Sequence, residues 1–401
     1  MTSTLLTGLS ELWTLDPALD DPGRPGDIAE GQVLRDAALV IEDGVIAWTG
    51  PAAAAPSADR AEDLGGRAVL PGWVDSHSHL IFDGDRAAEF EARMAGQPYA
   101  AGGIGVTTEA TRAASEERLR DLTRARIAEA RRGGTTCLET KTGYGLSVEE
   151  ELRGARLASA LVAEGELDEA TFLGAHLVPH EYTGRAEEYV DLVTGPMLAA
   201  VAPHVRWIDV FCEEGAFDPE QSERVLCAGA EAGLGLRVHG HQLGRSGGVA
   251  LAVELGAASV DHLNHLDAAD LEQLAASDTV ATVLPACDLS TRAPLAPARE
   301  LLDAGARLAI ASNANPGTSW TSSVSFCVTT AVLQMHLSLG EAVRAATRGG
   351  ALALRREDVG HLAVGARADL HVLDAPAAIH LAYRPGMPLT HQVWRAGIRQ
   401  R

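Results

Sequence analysis

The segment PGWVDSHSHL at residues 71–80 contains two histidines, His77 and His79, separated by one serine. Residues two apart on a strand point to the same face, so both imidazoles can reach one metal ion. Proline, glycine and apolar residues precede the pair, which places it where a buried strand ends. The alternative interpretation is a pair of hydrogen-bonded histidines at a strand end. The pair alone does not decide between a metal site and this structural role.

Two further histidines end other apolar runs: His239 in VHGHQ and His262 in VDH. Three histidines with one carboxylate and an open position would suit a catalytic Zn²⁺ or Fe²⁺ site. Taken singly, each histidine is read by default as a satisfied core residue. Their common position at strand ends favours the metal site.

The elements that position these residues alternate between short apolar runs and longer helical stretches. Eight runs are predicted as strands: 69–75, 135–140, 170–178, 205–212, 235–239, 256–261, 279–287 and 307–312. Helices are predicted between them at 113–132, 147–164, 218–232, 245–255, 268–276 and 296–304. This alternation predicts an α/β fold with a (β/α)₈ TIM-like barrel. A doubly wound open sheet is the second candidate, but no glycine-rich phosphate motif opens its first helix.

The two ends of the chain have a different character, with short β-like pieces broken by proline, glycine and acidic turns. We therefore predict a small β-sandwich domain formed from both termini. Its N-terminal part comprises residues 1–68 and its C-terminal part residues 358–401, with the barrel at 69–357.

Composition limits the possible partners. The formal net charge is -22 and the sequence pI is about 5.0, which argues against nucleic acid and anionic membranes. One local arginine can still hold the carboxylate of a small substrate. Five scattered cysteines without a C-x-x-C motif indicate reduced thiols. The first residues lack the pattern of a signal peptide, and no apolar run is long enough to span a membrane. We expect a cytoplasmic protein.

Several longer strings narrow the class further. HSHL after PGWVD, with histidines ending the fifth and sixth strands, resembles the amidohydrolase superfamily. The strings FDGDRAAEF, AGGIG, ETKTGYGL, TFLGAHLVP, DVFCEEGAF and NPGTS, in this order, are similar to the imidazolonepropionase family of histidine degradation. The resemblance extends over almost the whole chain.

The resemblance implies a hydrolase that uses one divalent metal ion, Zn²⁺ or Fe²⁺, to open the cyclic amide of 4-imidazolone-5-propanoate to N-formimidoyl-L-glutamate. It also implies a homodimer. Carried over by position, the metal ligands are His77, His79 and His239, with position 313 beside them. Arg86 would bind the substrate carboxylate, and His262 would assist at the attacked carbonyl. The remaining substrate contacts implied are Tyr144, His176, Gln242, Asn315, Gly317 and Thr318, and Gln242 also counts among the catalytic candidates.

Structural interpretations of these residues remain open. Arg86 could form a surface ion pair, and Tyr144 between two glycines could cap a turn. Gln242 and His241 could be solvated loop residues, and His241 is left out of the site. The Asn-Pro-Gly run at 315–317 is a good turn on its own chemistry.

One position departs from the family pattern. The strand-eight end reads ASNANPG, so Asn313 stands where the family carries an aspartate that contacts the metal and takes a proton. Asparagine cannot act as a base near neutral pH, and a positioned base contributes about 10²–10⁴-fold in rate. Three explanations are open: another base such as His262, an inactive or repurposed ligand-binding homologue, or an engineered change.

Two other classes therefore compete with the cyclic-amide hydrolase. The first is a non-catalytic ligand-binding homologue, for which Asn313 is the main argument. The second is an amidohydrolase that acts on another small ring. The joint presence of Arg86, Tyr144 and the NPGT string argues against it, since together they suit a ring with a propionate arm.

Overall fold

Strands from both ends of the chain form one seven-stranded mixed sheet. The computed structural model describes residues 3–20, 26–96 and 103–400, so the first two residues of the AGGIG string lie outside the described residues. Along the sheet the order is β15-β14-β13-β4-β1-β2-β3. The strands are β1 (Ser3–Trp13), β2 (Val33–Glu42), β3 (Val45–Pro51), β4 (Arg60–Pro71), β13 (Leu370–Leu373), β14 (Thr390–Arg395) and β15 (Ile398–Arg399).

This sheet has its own apolar core and leads directly into the barrel. Leu6, Leu39 and Leu370, from three different strands, are fully buried in that core. Strand β4 continues to Pro71, and Gly72 connects it to the first barrel strand. A Cβ at Gly72 would lie 2.2 Å from the Thr136 hydroxyl, so only glycine fits this junction. The division of the chain at residues 68 and 357 stays a prediction.

Eight parallel strands form the barrel, in the order in which they occur along the chain. They are β5 (Trp73–Asp75), β6 (Thr135–Lys141), β7 (Glu169–Ala175), β8 (Trp207–Cys212), β9 (Gly235–Gly240), β10 (Ser259–His262), β11 (Val280–Val283) and β12 (Leu308–Ile310). Main-chain bonds just beyond β5 and β12 close the barrel: Asn313 N donates to His77 O at 3.0 Å, and His79 N donates to Ala314 O at 2.9 Å. The predicted fold class, a barrel with a small domain formed from both termini, is confirmed.

Helices fill the intervals between the strands, and the six predicted helices are all present. Several begin at the expected capping residues, for example Ser115, Ser147 and Asp218. The helices are α1 (Ala87–Met94), α2 (Ile104–Ala113), α3 (Glu116–Arg132), α4 (Val148–Ala163), α5 (Ala186–Leu192), α6 (Leu198–Val201), α7 (Pro219–Glu231), α8 (Gly248–Glu254), α9 (Ala268–Ala275), α10 (Pro285–Thr291), α11 (Ala298–Ala304), α12 (Val324–Gln334), α13 (Leu339–Arg344), α14 (Gly350–Ala353) and α15 (His380–Tyr383). Within the described ranges, no helix combines the length and apolar character needed to cross a membrane.

Several strand predictions were too long. The run 170–178, for example, ends as a strand at Ala175, and 307–312 is a strand only over Leu308–Ile310. The run 279–287 was predicted as a single strand, but the structure ends β11 at Val283 and begins α10 at Pro285. Proline favours the first turn of a helix because its φ is already helical and its missing N–H is not needed there. The apolar residues that follow Pro285 are therefore helical.

A buried aspartate joins the terminal domain to the barrel. Asp168, just before β7, accepts hydrogen bonds from Arg367 at 2.5 Å and Arg395 at 3.1 Å, both from the C-terminal segment. It also accepts one from the main-chain N–H of Leu138. Burial alone would raise the pKa of Asp168, but the two arginines outweigh it and hold the pKa below its ordinary value.

We expect Asp168→Asn to lower the free energy of unfolding by about 3 kcal/mol, because two largely buried arginines would lose one charged partner, while Arg367 keeps its pair with Asp369. The lowered pKa means that this stabilisation is present above about pH 5 and is lost as the pH falls through the folded-state pKa. Denaturant titrations at several pH values measure both effects. Asp374→Asn, which breaks the more exposed pair with Arg67, serves as the control and should cost less than about 1 kcal/mol. Equal losses for the two variants would contradict the prediction.

Candidate metal centre and substrate pocket

Three buried imidazoles converge at the carboxyl ends of the barrel strands. The Nε2 atom of His79 lies 3.2 Å from that of His77 and 3.5 Å from that of His239. Ligand nitrogens about 2.0–2.1 Å from a tetrahedral ion lie roughly 3.4 Å apart. The spacing of these nitrogens therefore fits a shared divalent metal ion.

Carboxylates behind the imidazoles fix which nitrogen carries the proton. Asp261 accepts from His77 Nδ1 at 2.6 Å, and Asp209 accepts from His239 Nδ1 at 2.9 Å. Burial lowers the pKa of His77 and His79 well below the ordinary value, so both rings are neutral. The Nε2 lone pairs of His77 and His239 are thus directed into the centre. Lone pairs that face each other repel unless a cation lies between them.

The carboxylates are in turn held by two buried cations. Lys141 pairs with Asp209 at 2.9 Å and with Glu139 at 3.2 Å, and Arg237 pairs with Asp261 at 3.2 Å. All five side chains are fully buried. Two cations and three carboxylates leave an excess of one negative charge beneath the histidines, which favours a bound cation.

These five charged residues were missed in the sequence. A detectable sign is that charged residues interrupt otherwise apolar strands, as in WIDVFC and GLRVHG. Glu139 and Lys141 are two apart on β6, and Arg237 and His239 are two apart on β9, so each pair shares one face. Which charges meet across strands could not be read from the chain.

His262 belongs to the same histidine cluster. One of its ring nitrogens lies within 4.8 Å of a ring nitrogen of His77 and of His239, so His262 can also serve as a ligand. Burial lowers its pKa well below the ordinary value, and the ring is neutral. The backbone φ of His262 is +89°, a conformation that is costly for any residue except glycine. Such strain is concentrated at functional sites.

Asn313 follows the end of β12 and lines a cavity together with His79, His239 and His262. Its main-chain N–H closes the barrel, and its φ of +51° is one that asparagine tolerates. The side chain is buried near the thiol of Cys287. Asn313, which is predicted to depart from the family pattern, therefore lines the same cavity as the histidines.

One cavity gathers most of the predicted site residues. The described residues that line it are His79, Arg86, Ile104, Tyr144, His176, Phe211, His239, Gln242, His262, Asn313, Asn315 and Thr318. None of these carries a carboxylate. His77 lies directly behind His79, and Gly317 packs against Arg86. The structure thus brings the predicted residues together, whereas their individual roles stay predictions.

His176 presents a hydrogen-bond acceptor to this cavity. Its Nδ1 lies 2.9 Å from the carbonyl oxygen of Gly143, so this nitrogen carries the proton and Nε2 has a lone pair. Burial lowers the pKa of His176 to about 3, which keeps the ring neutral. Its ring stacks on that of His79 with the centroids 5.4 Å apart.

Asn315 shapes the loop that follows Asn313. Its Oδ1 accepts from the main-chain N–H groups of Gly317 and Thr318, both at 2.8 Å. Its Nδ2 donates to Asn313 O at 2.6 Å and to the Thr318 hydroxyl at 2.8 Å. The side chain is therefore engaged within the turn, in accordance with the structural interpretation of this motif.

Gln242 is held in the cavity wall by a buried glutamate. Glu213, at the end of β8, accepts from the main-chain N–H of Gln242 at 2.5 Å. Burial raises the pKa of Glu213 to about 7, while hydrogen bonds from the loop oppose the rise. His241 does not line the cavity and contacts the carbonyl oxygen of His265 instead.

A barrel with a histidine cluster at its carboxyl end defines the class of metal-dependent amidohydrolases. Residues 68–396 match the amidohydrolase family model. The fold is shared with a zinc- and atraton-bound variant of atrazine chlorohydrolase from Arthrobacter aurescens TC1, with TM-score 0.73 and 20% identity over 99% of this chain and 94% of that one. It is also shared with a zinc-bound adenosine deaminase from Xanthomonas campestris, with TM-score 0.71 and 20% identity over 99% and 92% of the two chains.

Sequence relatives define the family more narrowly. The imidazolonepropionase of Micrococcus luteus is 65% identical, and that of Arthrobacter sp. strain FB24 is 63% identical, each alignment covering 100% of both chains. The imidazolonepropionase of Saccharopolyspora erythraea is 63% identical over 100% of this chain and 99% of its own length. The chain belongs to the imidazolonepropionase family of amidohydrolases.

We expect Asp209→Asn to weaken divalent metal binding by about 10- to 100-fold, because the variant no longer fixes the proton of His239 on Nδ1. Titration with a competing chelator, followed by elemental analysis, measures the affinity. The matched control is Asp270→Asn, since Asp270 lies 3.6 Å from His241, outside the cluster. A metal affinity unchanged in Asp209→Asn would contradict this account of the centre.

Proposed function

We propose that this protein hydrolyses 4-imidazolone-5-propanoate to N-formimidoyl-L-glutamate in histidine degradation. The observation that carries the proposal is the convergence of the histidine cluster, Arg86 and His176 on one cavity. The imidazolonepropionases that are more than 60% identical over the full chain support it.

The lining of the cavity suits both parts of this substrate. Arg86 binds the propionate carboxylate, a planar group that matches a guanidinium. His176 accepts a hydrogen bond from a ring N–H, and Tyr144, whose ring centroid is 5.4 Å from that of His176, contacts the same ring. The amide carbonyl then faces the histidine cluster. Gln242, Asn315, Gly317 and Thr318 complete the enclosure.

The metal centre is assigned to His77, His79 and His239, with Asn313 beside them. A divalent ion, Zn²⁺ or Fe²⁺, supplies Lewis-acid polarisation of the amide carbonyl and acidifies water when it is bound. Elemental analysis of the purified protein identifies which metal it carries.

His262 takes the place of the missing aspartate as the base. Asn313 has no basic group, and the described wall of the cavity contains no carboxylate. The neutral ring of His262 can accept the proton of the attacking water and return it to the leaving ring nitrogen. Because no carboxylate base is positioned in this wall, we expect a slow enzyme.

The test is the loss of absorbance of 4-imidazolone-5-propanoate. We expect slow ring opening by the wild type. The rate of ring opening should increase by about 10²-fold in Asn313→Asp, because the carboxylate restores a base beside the proposed metal ligands. Asn313→Ala is the control, since it removes the amide without adding a base and should give no gain. A rate in Asn313→Asp no higher than in the wild type would refute this account of Asn313.

A second candidate function is supported by the absence of a carboxylate among the described residues of the cavity wall. In this case the protein binds the imidazolone without turning it over. Binding by the wild type with no ring opening in either the wild type or Asn313→Asp would establish this alternative.

Location and assembly are part of the proposal. The net charge of -22 and the five free thiols support a reducing, cytoplasmic location without nucleic-acid or membrane partners. The homodimer implied by the family is tested by light scattering on the purified protein.

A further inference from the structure

The guanidinium of Arg86 is held along one edge by a residue with no assigned role. Glu89, on the first turn of α1, accepts from Arg86 Nε at 2.7 Å and from Nη2 at 2.7 Å. This bidentate arrangement fixes the plane and the direction of the guanidinium. Because Arg86 is 5% exposed, its charge group has few other positions available. The adjacent edge, formed by Nη1 and the second N–H of Nη2, remains for a second carboxylate.

Two glycines surround this ion pair closely. A Cβ on Gly317 would lie 2.2 Å from Arg86 Nη1, and a Cβ on Gly103 would lie 2.2 Å from Arg86 Nη2. The Cβ on Gly103 would also lie 2.3 Å from Glu89 Oε2. A side chain at either position would displace the guanidinium. The backbone of Gly103 and Gly317 therefore forms the walls of the space that holds Arg86, which we call the guanidinium niche.

A second arginine completes the arrangement. Arg93, one turn further along α1, donates from Nη2 to the carbonyl oxygen of Gly317 at 2.8 Å. Its Nη1 lies 4.0 Å from Glu89 Oε1. Arg93 therefore ties the Gly317 loop to the same glutamate that holds Arg86. The three side chains carry a net charge of +1, which one substrate carboxylate neutralises.

We propose that Glu89 is a positioning residue that sets the specificity for a substrate with an anionic arm. Glu89 acts through Arg86, by directing the free edge of the guanidinium into the cavity. The identity of the anionic arm rests on the proposed function. Without Glu89 the charge of Arg86 persists but its direction does not. Removal of Glu89 must therefore weaken the binding of ligands with a carboxylate and leave the affinity for ligands without one unchanged.

The test uses two stable ligands that differ only in the arm, imidazole-4-propanoate and imidazole-4-propanamide, titrated calorimetrically into the metal-loaded protein. In Glu89→Gln, one amide oxygen replaces two carboxylate oxygens. We expect this variant to bind the propanoate about 10-fold more weakly. Its affinity for the propanamide should stay within about 2-fold of the wild type. Glu91→Gln, on the exposed face of the same helix, is the matched control and should change neither affinity.

A double-mutant cycle separates positioning from a general structural role. In an Arg86→Met background, Glu89→Gln should cause no further loss of propanoate binding. Gly103→Ala provides an independent variant, since its Cβ would displace the Arg86–Glu89 pair without changing charge, and it should give the same selective loss.

Three results would overturn the proposal: unchanged propanoate binding in Glu89→Gln, equal weakening of both ligands, or additive losses in the cycle. Ring opening by the wild type is assayed separately. Selective propanoate binding without ring opening would disprove the proposed function and leave the role of Glu89 intact.

Discussion

The facing lone pairs of the buried imidazoles of His77 and His239 are a constraint on which much of the barrel interior depends. Asp261 and Asp209 direct the Nε2 atoms of His77 and His239 towards one point, and Lys141 holds Asp209 in place. Charges buried this deeply are tolerated only when each has a partner. Much of the barrel interior below the cavity thus serves the electrostatics of the centre rather than apolar packing.

The same strand end that carries two histidines also closes the barrel. His77 O and His79 N bond to the main chain of residues 313 and 314, so closure and the spacing of the imidazoles rest on the same contacts. Asn313 closes the barrel through its main-chain N–H, and this contact does not depend on the identity of its side chain. The side chain at position 313 can therefore change without loss of the contact that closes the barrel.

The sequence was informative where a residue's role depends on its own strand. Apolar runs predicted all eight barrel strands, and the period of two along a strand paired His77 with His79. It was uninformative where the partner lies on another strand: nothing local indicates that Lys141 meets Asp209 or that Arg237 meets Asp261. The length of β11 was overestimated because apolar residues continue beyond Pro285, and an apolar run does not distinguish a buried strand from a buried helix.

Chemistry and recognition occupy different parts of the scaffold. The histidines lie at strand ends, where the barrel fixes them from several sides, whereas Arg86 and Glu89 lie at the start of α1 against the loop that contains Gly317. Loops at the carboxyl end of a barrel can vary while the strands remain constant. In the proposed function, recognition of the anionic arm depends on Arg86 and Glu89, which lie outside the barrel strands. This recognition can therefore change without disturbing the proposed metal ligands.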